Sequence, residues 1–492
     1  MKLFIGADLG TSGLKMLLVS EDGRILNTVT EEYELKLPRP LWSEENPLDW
    51  LDAFYRGFDR LVEAHDRRSV SGIGIGGQMH GLVTLDKNDN VIRNAILWND
   101  GRCAEEVEYL NEEVGRDTLI KHTGNIAFAG FTMPKILWMR KHEKNEFDRI
   151  ARIMLPKDYL TYMLTGAFST DVSDASGTLL FDVEKRSWSD EMLELCSIGK
   201  DMLPSIHESY ENVGFVKRDV AERLGLNDDV AVAAGAGDNA AAAIGTRTVG
   251  NGRCNISLGT SGTIFLSSDE FHQDDRASLH SFCDASGRYH LMGCMLSAAS
   301  AGKWFQETIL QSHDYRKEEG CIKEEMLGHN NTYFLPYLMG ERSPINDLNA
   351  RGAFIGMSMD TSRAEMLLAV FEGVAFALRD SIEVARNFGI NPDRSTICGG
   401  GAKSRLWVRI IAAVMNMPID MPLMEEGPGF GGALLAMVAS GYVPSVDEAV
   451  SRFTGIRETV LPEPELVELY EDRYQKFKRI YPAMKNLFLD IR

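Results

Sequence analysis

The sequence predicts an α/β protein of two related lobes facing one cleft, on three observations. The pentapeptide Leu-Gly-Thr-Ser-Gly occurs twice, at residues 9–13 and 258–262, almost half of the 492-residue chain apart. Each copy stands directly behind an apolar, strand-like run. Each half then continues into an amphipathic helix and a short strand that ends on glycines. Two such lobes would each bring a glycine-rich, hydroxyl-bearing loop to one polyanionic ligand. Glycine lets the backbone come close to an anion, while loop N–H groups and Thr/Ser hydroxyls donate to phosphate oxygens.

The elements follow in order. Residues 3–8 and 14–19 read as two β-runs around the first loop, and Asp22-Gly23 marks the next turn. Asn46 and Pro47 form a cap and first-turn pair, followed by Leu48, Leu51, Phe54, Tyr55, Phe58, Leu61 and Val62 at three- and four-residue steps, which predicts a helix with one face on the sheet. Residues 70–77 read as a buried strand that delivers Gln78-Met79-His80-Gly81 at its C-terminal end, where open α/β sheets place ligand groups. In the second half, residues 254–257 and 263–266 flank the second loop. Ser362 to Glu365 is a capping box ahead of the apolar face Met366, Leu367, Val370, Val374, Ala377 and Leu378. A short strand at 395–398, the glycines 399–401 and a helix from about Ser404 make a seat for the rest of a nucleotide, or simply a tight strand-to-helix turn. The boundary is expected in the glycine-rich segment 246–252, giving lobes 1–248 and 249–492.

Composition narrows the partners. A formal charge of −20 argues against nucleic acid or an anionic membrane, both of which demand clustered Lys/Arg. The seven cysteines are scattered and lack Cys-x-x-Cys spacing, so neither a disulfide framework nor a zinc site is suggested and a reducing cytoplasm fits. No stretch reaches the apolar length of a membrane helix. Neither loop is a Walker A sequence or a Gly-x-Gly-x-x-Gly dinucleotide fingerprint.

The chemistry-bearing segment is Gly235-Ala-Gly-Asp-Asn239 ahead of four alanines. Small residues bracket one carboxylate and one amide, so Asp238 and Asn239 sit where another molecule approaches closely. Asp238 reads as a helix cap, as a proton acceptor for a substrate hydroxyl, or as both.

These residues carry a family resemblance. The chain resembles the FGGY carbohydrate kinases and, within them, the bacterial xylulokinases. The matches are Asp8-Leu-Gly-Thr-Ser-Gly13, Gly77-Gln-Met-His-Gly81, Ile96-Leu-Trp-Asn-Asp-Gly-Arg102, Phe131-Thr-Met-Pro-Lys-Ile-Leu-Trp138, Leu155-Pro-Lys-Asp-Tyr159, Gly237-Asp-Asn239, Ser257-Leu-Gly-Thr-Ser-Gly262, Met295-Leu-Ser-Ala-Ala299, Gly340-Glu-Arg-Ser-Pro344 and Gly399-Gly-Gly-Ala-Lys-Ser404. The resemblance implies the actin-like (ribonuclease H-like) ATPase fold with two lobes around a central cleft. It implies Asp238 as general base, with Met79, His80 and Asn239 on the sugar and Trp98 and Asp100 near its pocket. Thr11, Ser12 and Lys15, with Gly259, Thr260 and Ser261, would hold the ATP phosphates, and Gly400, Gly401 and Ala402 would line the nucleoside. Asp8 would organise Mg2+, directly or through water, and the transferring phosphoryl group. The implied reaction is D-xylulose + ATP to D-xylulose 5-phosphate + ADP. Alternatives are an FGGY kinase for another ketose or a sugar acid, or a nucleotide-gated actin-like binding protein. A homodimer is also implied.

Overall fold

The computed structural model describes residues 1–424 and 426–491. The first sheet opens with the hairpin expected around the first pentapeptide. Strands β1 (Leu3–Leu9) and β2 (Gly13–Ser20) pair antiparallel with Asp8 opposite Lys15. Gly23, in the left-handed region at φ 82°, then turns the chain into β3 (Ile25–Glu32). Helix α1 (Pro47–Leu61) is capped by Asn46, whose side chain accepts the Leu48 N–H at 3.2 Å. Its buried stripe is Trp50, Ala53, Phe54, Gly57, Phe58 and Leu61. Leu48, expected on that stripe, is 53 % exposed. It lies two residues before Trp50, about 200° around the helix, so the three-and-four spacing holds while its phase is set by the tryptophan.

Strand β4 (Val70–Gly77) runs parallel to β1 on the side away from β2, placing Gly76 beside Asp8. After a long insertion, β5 (Asn212–Phe215), β6 (Ala231–Ala233) and β7 (Ala236–Gly237) complete the sheet. Strands β6 and β7 both pair parallel with β4, and Gly237 stands beside Gly77. Helix α2 (Asp238–Gly245) begins at that point.

The second sheet is built from β8 (Arg253–Leu258), β9 (Gly262–Ser268), β10 (His280–Cys283) and β11 (Tyr289–Met295). Helix α3 (Arg363–Arg386) follows, with both arms of the predicted capping box formed by Ser362 and Glu365. Then come β12 (Arg394–Cys398), α4 (Arg405–Met415), β13 (Ile419–Pro422), α5 (Gly427–Ala439) and β14 (Ile456–Val460). Across the sheets, the order β3-β2-β1-β4-β6-β5 matches β11-β9-β8-β12-β13-β14, strand for strand and direction for direction. The duplicated pentapeptide therefore marks a duplicated fold. Two apolar cores follow, one between the first sheet and α1 and one around the second sheet, α3 and α4.

Helices α2 and α5 occupy equivalent places and pack against each other, and α5 also lies across β1 and β4. This contact is backbone on backbone. A Cβ on Gly74 would fall 2.0 Å from the Gly432 carbonyl oxygen, one on Gly6 1.8 Å from that of Gly429, and one on Gly431 1.9 Å from that of Ala241. Glycine is required here by the close approach.

All seven cysteines are free thiols. No helix among the described residues is long and apolar enough to cross a membrane.

Candidate active site

Because β1, β4 and β7 run parallel and side by side, the segments that leave Leu9, Gly77 and Gly237 emerge at one sheet edge. Asp8 and Asp238 meet there. Asp238 is the first residue of α2, and Gly237, with no side chain, is the cap. The capping role considered for Asp238 therefore falls to its neighbour. Its Oδ1 instead accepts the Asn239 backbone N–H at 2.7 Å and Asn239 Nδ2 at 3.0 Å. Burial pushes the Asp238 carboxyl up to about 6, against the lowering effect of these two bonds. Burial and then the charge of Asp238 push Asp8 up to about 7, with Lys15 opposing and Glu426 reinforcing the rise.

On the neighbouring strand end, Met79 is buried and His80 adopts φ 70°. That is an uncommon conformation for a residue with a Cβ, and the surroundings enforce it. The His80 carbonyl accepts from Thr132 Oγ1 at 3.1 Å and Lys135 Nζ at 2.9 Å. Its Nδ1 lies 2.8 Å from the Gly177 carbonyl oxygen, which can only accept, so Nδ1 carries the proton and Nε2 is left as an acceptor. Burial, then the Lys135 ammonium, hold the imidazole well below its ordinary range, and it is neutral. Two glycines make room: a Cβ on Gly237 would lie 2.9 Å from Met79 Cγ, and one on Gly177 2.3 Å from His80 Cε1.

Trp98 is 43 % exposed, and its Nε1 donates to Thr11 Oγ1 at 3.0 Å. Thr11 Oγ1 donates in turn to Gln78 Oε1 at 3.1 Å. Gln78 Nε2 and Trp50 Nε1 each donate to Glu45 Oε2 at 2.8 Å. The single hydroxyl proton of Thr11 is thus directed inward. Ser12 stands at the exposed tip of the loop.

Two charged residues expected in the site already have protein partners: Asp100 is engaged elsewhere, while Lys15 stays beside Asp8. Asp100 is buried, and its carboxylate accepts from Ser43 N at 2.6 Å, Arg102 N and Nε at 2.9 Å and Arg102 Nη2 at 2.7 Å. The guanidinium two residues along the chain claims it. The Lys15 ammonium pairs with Glu426, the residue before α5.

The second sheet builds the other half of the site in the same way. Strands β8 and β12 are parallel with Ser257 beside Cys398, so their following loops share an edge. Gly399 takes φ 91°, and a Cβ there would fall 2.7 Å from the Leu258 carbonyl carbon. Gly259, Thr260, Gly400 and Gly401 line a cavity of about 1000 Å³. Trp407, stacked on Phe371 at 4.3 Å, lies in the same lining. Ser404 caps α4 by accepting Trp407 N–H at 3.1 Å and donates to Glu319 Oε2 at 2.9 Å. Ser261 is exposed at its loop tip, and Ala402 is buried next to the glycines.

Trp407, Phe371, Glu319 and Glu45 were not singled out from the sequence. Trp407 had a signal, three residues after a helix cap beside a triple glycine, whereas Glu319 lies in a segment without periodicity.

Among the described residues no three or more His, Cys, Asp or Glu side chains form a metal cage. The pair Asp8 and Asp238 does suit Mg2+, which is held through one or two carboxylates plus substrate phosphates. Two mutually repelling carboxyls at one strand edge are what a cation would relieve.

Known proteins match this architecture along its whole length. Residues 3–245 match the N-terminal domain, and residues 254–440 the C-terminal domain, of the FGGY family of carbohydrate kinases. The xylulose kinase of Escherichia coli K12 is 39 % identical over 99 % of this chain and 100 % of its own. Among solved structures, a protein of Brucella ovis described as a xyloylose kinase superposes with a TM-score of 0.94 at 37 % identity, over 99 % of this chain and 100 % of the other. A gluconate kinase from Lactobacillus acidophilus also gives 0.94, at 26 % identity over 100 % of both chains. With two FGGY domains covering both sheets and a nearly full-length relative at this identity, the chain belongs to the FGGY family of carbohydrate kinases.

Proposed function

We propose that this sugar kinase transfers the γ-phosphoryl group of ATP to the C5 hydroxyl of D-xylulose, with Asp238 as general base. The carrying observation is the meeting of Asp8, Asp238 and a neutral His80 on adjacent strand ends, in a chain whose relatives include the E. coli xylulose kinase. The acceptor hydroxyl gives its proton to the Asp238 carboxylate as its oxygen bonds to the γ-phosphorus. The bond from that phosphorus to the β,γ-bridging oxygen breaks, and ADP leaves. Such a transfer has a loose transition state, so a carboxylate of modest basicity suffices and positioning dominates. His80 Nε2 and Asn239, with Met79 against the apolar edge, would orient the sugar. Ser12, Gly259, Thr260 and the loop N–H groups would cradle the phosphates, while Gly400 and Gly401 would line the nucleoside. Thr11, its proton spent on Gln78, would tie the first phosphate loop to the sugar side. Bound through Asp8, Mg2+ would offset charge on the phosphate oxygens. The lobe boundary near residue 248, a cytoplasmic setting and a homodimer belong to the same proposal.

A second reading keeps the kinase and changes the acceptor to a sugar acid, since a gluconate kinase superposes as well as a xylulose-type kinase. Arg342, whose charge reaches His80, is the cation such a carboxylate would need. An ADP-release assay over ketoses, aldoses and sugar acids decides: the proposal expects the highest kcat/KM for D-xylulose. A preference for gluconate would replace it.

A further inference from the structure

Behind the strand ends that carry Met79, His80 and Asp238 lies a fully buried ionic group. Lys157 enters on the helix Pro156–Thr165, and its stem passes between two glycines. A Cβ on Gly77 would sit 2.9 Å from Lys157 Cβ, and one on Gly235 3.4 Å from its Cδ. Its Nζ meets Asp158 Oδ1 at 2.6 Å and Asp171 Oδ1 at 2.8 Å, and donates to the Ala234 carbonyl at 3.4 Å. The other oxygen of Asp171 accepts Ser173 N–H at 2.8 Å, Ser173 Oγ at 2.5 Å and Ser209 Oγ at 2.6 Å. Ser173 Oγ accepts the backbone N–H of Gly237 at 3.1 Å. Lys157, Asp158, Asp171, Ser173 and Asp174 are all buried.

Taking these charges out of water is expensive, and burying an ion pair seldom adds stability over apolar packing. The arrangement ends, however, on the N–H of the residue preceding Asp238. Gly237 has no side chain, because Met79 occupies that space, so only backbone contacts can fix its torsions. We propose that Lys157, Asp171 and Ser173 act as a positioning relay, clamping the Gly237 peptide so that the Asp238 carboxylate is held in line with the acceptor hydroxyl. None of the three touches substrate in this scheme. Lys157 stays charged: burial pulls its pKa down, but Asp158, Asp171 and Asp174 together outweigh that and raise it. Asp174 lies 3.7 Å from the same ammonium, and burial raises its pKa well above the ordinary carboxylate value.

The inference rests on Asp238 as base, and its test separates the two. Ser173→Ala removes the acceptor for Gly237 N–H, and Ser173→Thr restores it. With D-xylulose and Mg-ATP, Ser173→Ala is expected to lose about 30-fold in kcat, the scale of a small misplacement of a reacting group. Both KM values should stay within about threefold, because ground-state contacts remain. Ser173→Thr should recover most of the loss. Asp171→Asn, which keeps shape but releases Lys157, should show the same split and serves if Ser173→Ala does not fold. Wild-type kcat in folded Ser173→Ala, or a loss shared equally with Ser173→Thr, overturns the relay. If Asp238→Asn is active, the base assignment fails instead. If Asp238→Asn is dead while Ser173→Ala is fully active, only the relay fails.

Discussion

At the scale of single residues, proton state decides function. Asp238 must be ionised to take a proton, and burial sets its pKa at about 6. kcat/KM should therefore fall as pH is lowered through about 6 and level off above it, measured with saturating Mg-ATP. Asp238→Asn keeps the shape and removes the acceptor. It should lower kcat by about 10²–10⁴-fold while nucleotide binding by calorimetry stays near wild type. Normal turnover in that variant would leave the site without a base.

At the scale of elements, the first phosphate loop is bonded into the sugar side. Thr11→Val severs the links to Trp98 and Gln78, worth about 1 kcal/mol each. Steady-state kinetics should then show KM raised about 5- to 30-fold, for sugar as well as for ATP. A change confined to ATP would mean that Thr11 addresses phosphate directly. The same scale shows what was legible. Period, turn chemistry and caps located β1, β2, α1, β4, α3 and the turn before α4, because each rests on local physics. The placing of Asp8 and Asp238 at one sheet edge, where the charge of one acts on the other, required strand order, which local periodicity does not encode. Asp100 and Lys15 illustrate the remaining difficulty. A charged residue in a motif looks the same whether its partner is a ligand, Arg102 or Glu426, and only the fold discloses which.

At the scale of the whole molecule, buried ionisable groups set the pH response of stability. Burial pushes Glu45, Glu341, Glu372 and Asp380 up to about 7, 8, 7 and 7. Because these folded values exceed the unfolded ones, the folded state takes up protons first, and stability rises as pH falls from about 8 toward 6.5. Below that, His280 and His290, held down to about 3 by burial, oppose further gain because the unfolded chain protonates them. A thermal midpoint that climbs by a few degrees from pH 8 to 6.5, and less steeply below it because two histidines offset only part of four carboxyls, is expected by calorimetry. Saturating D-xylulose should also make the protein more compact in solution scattering if the sugar contacts are better in a closed arrangement. Coincident profiles with normal catalysis would remove closure from the mechanism.

At the centre of the seat of α5 on the first sheet, peptide groups meet through glycines on both surfaces, while Phe4, Leu17, Phe430 and Leu434 belong to the apolar cluster around that contact. Interlocked side chains would have to leave one set of holes and enter another before two lobes could turn against each other. Where the glycines meet there are no such detents, so that part of the contact would act as a bearing if the lobes turn. Gly432→Ala would place a methyl 2.7 Å from the Gly74 carbonyl oxygen, in the race of that bearing. Its cost should appear in turnover, far from any reacting atom.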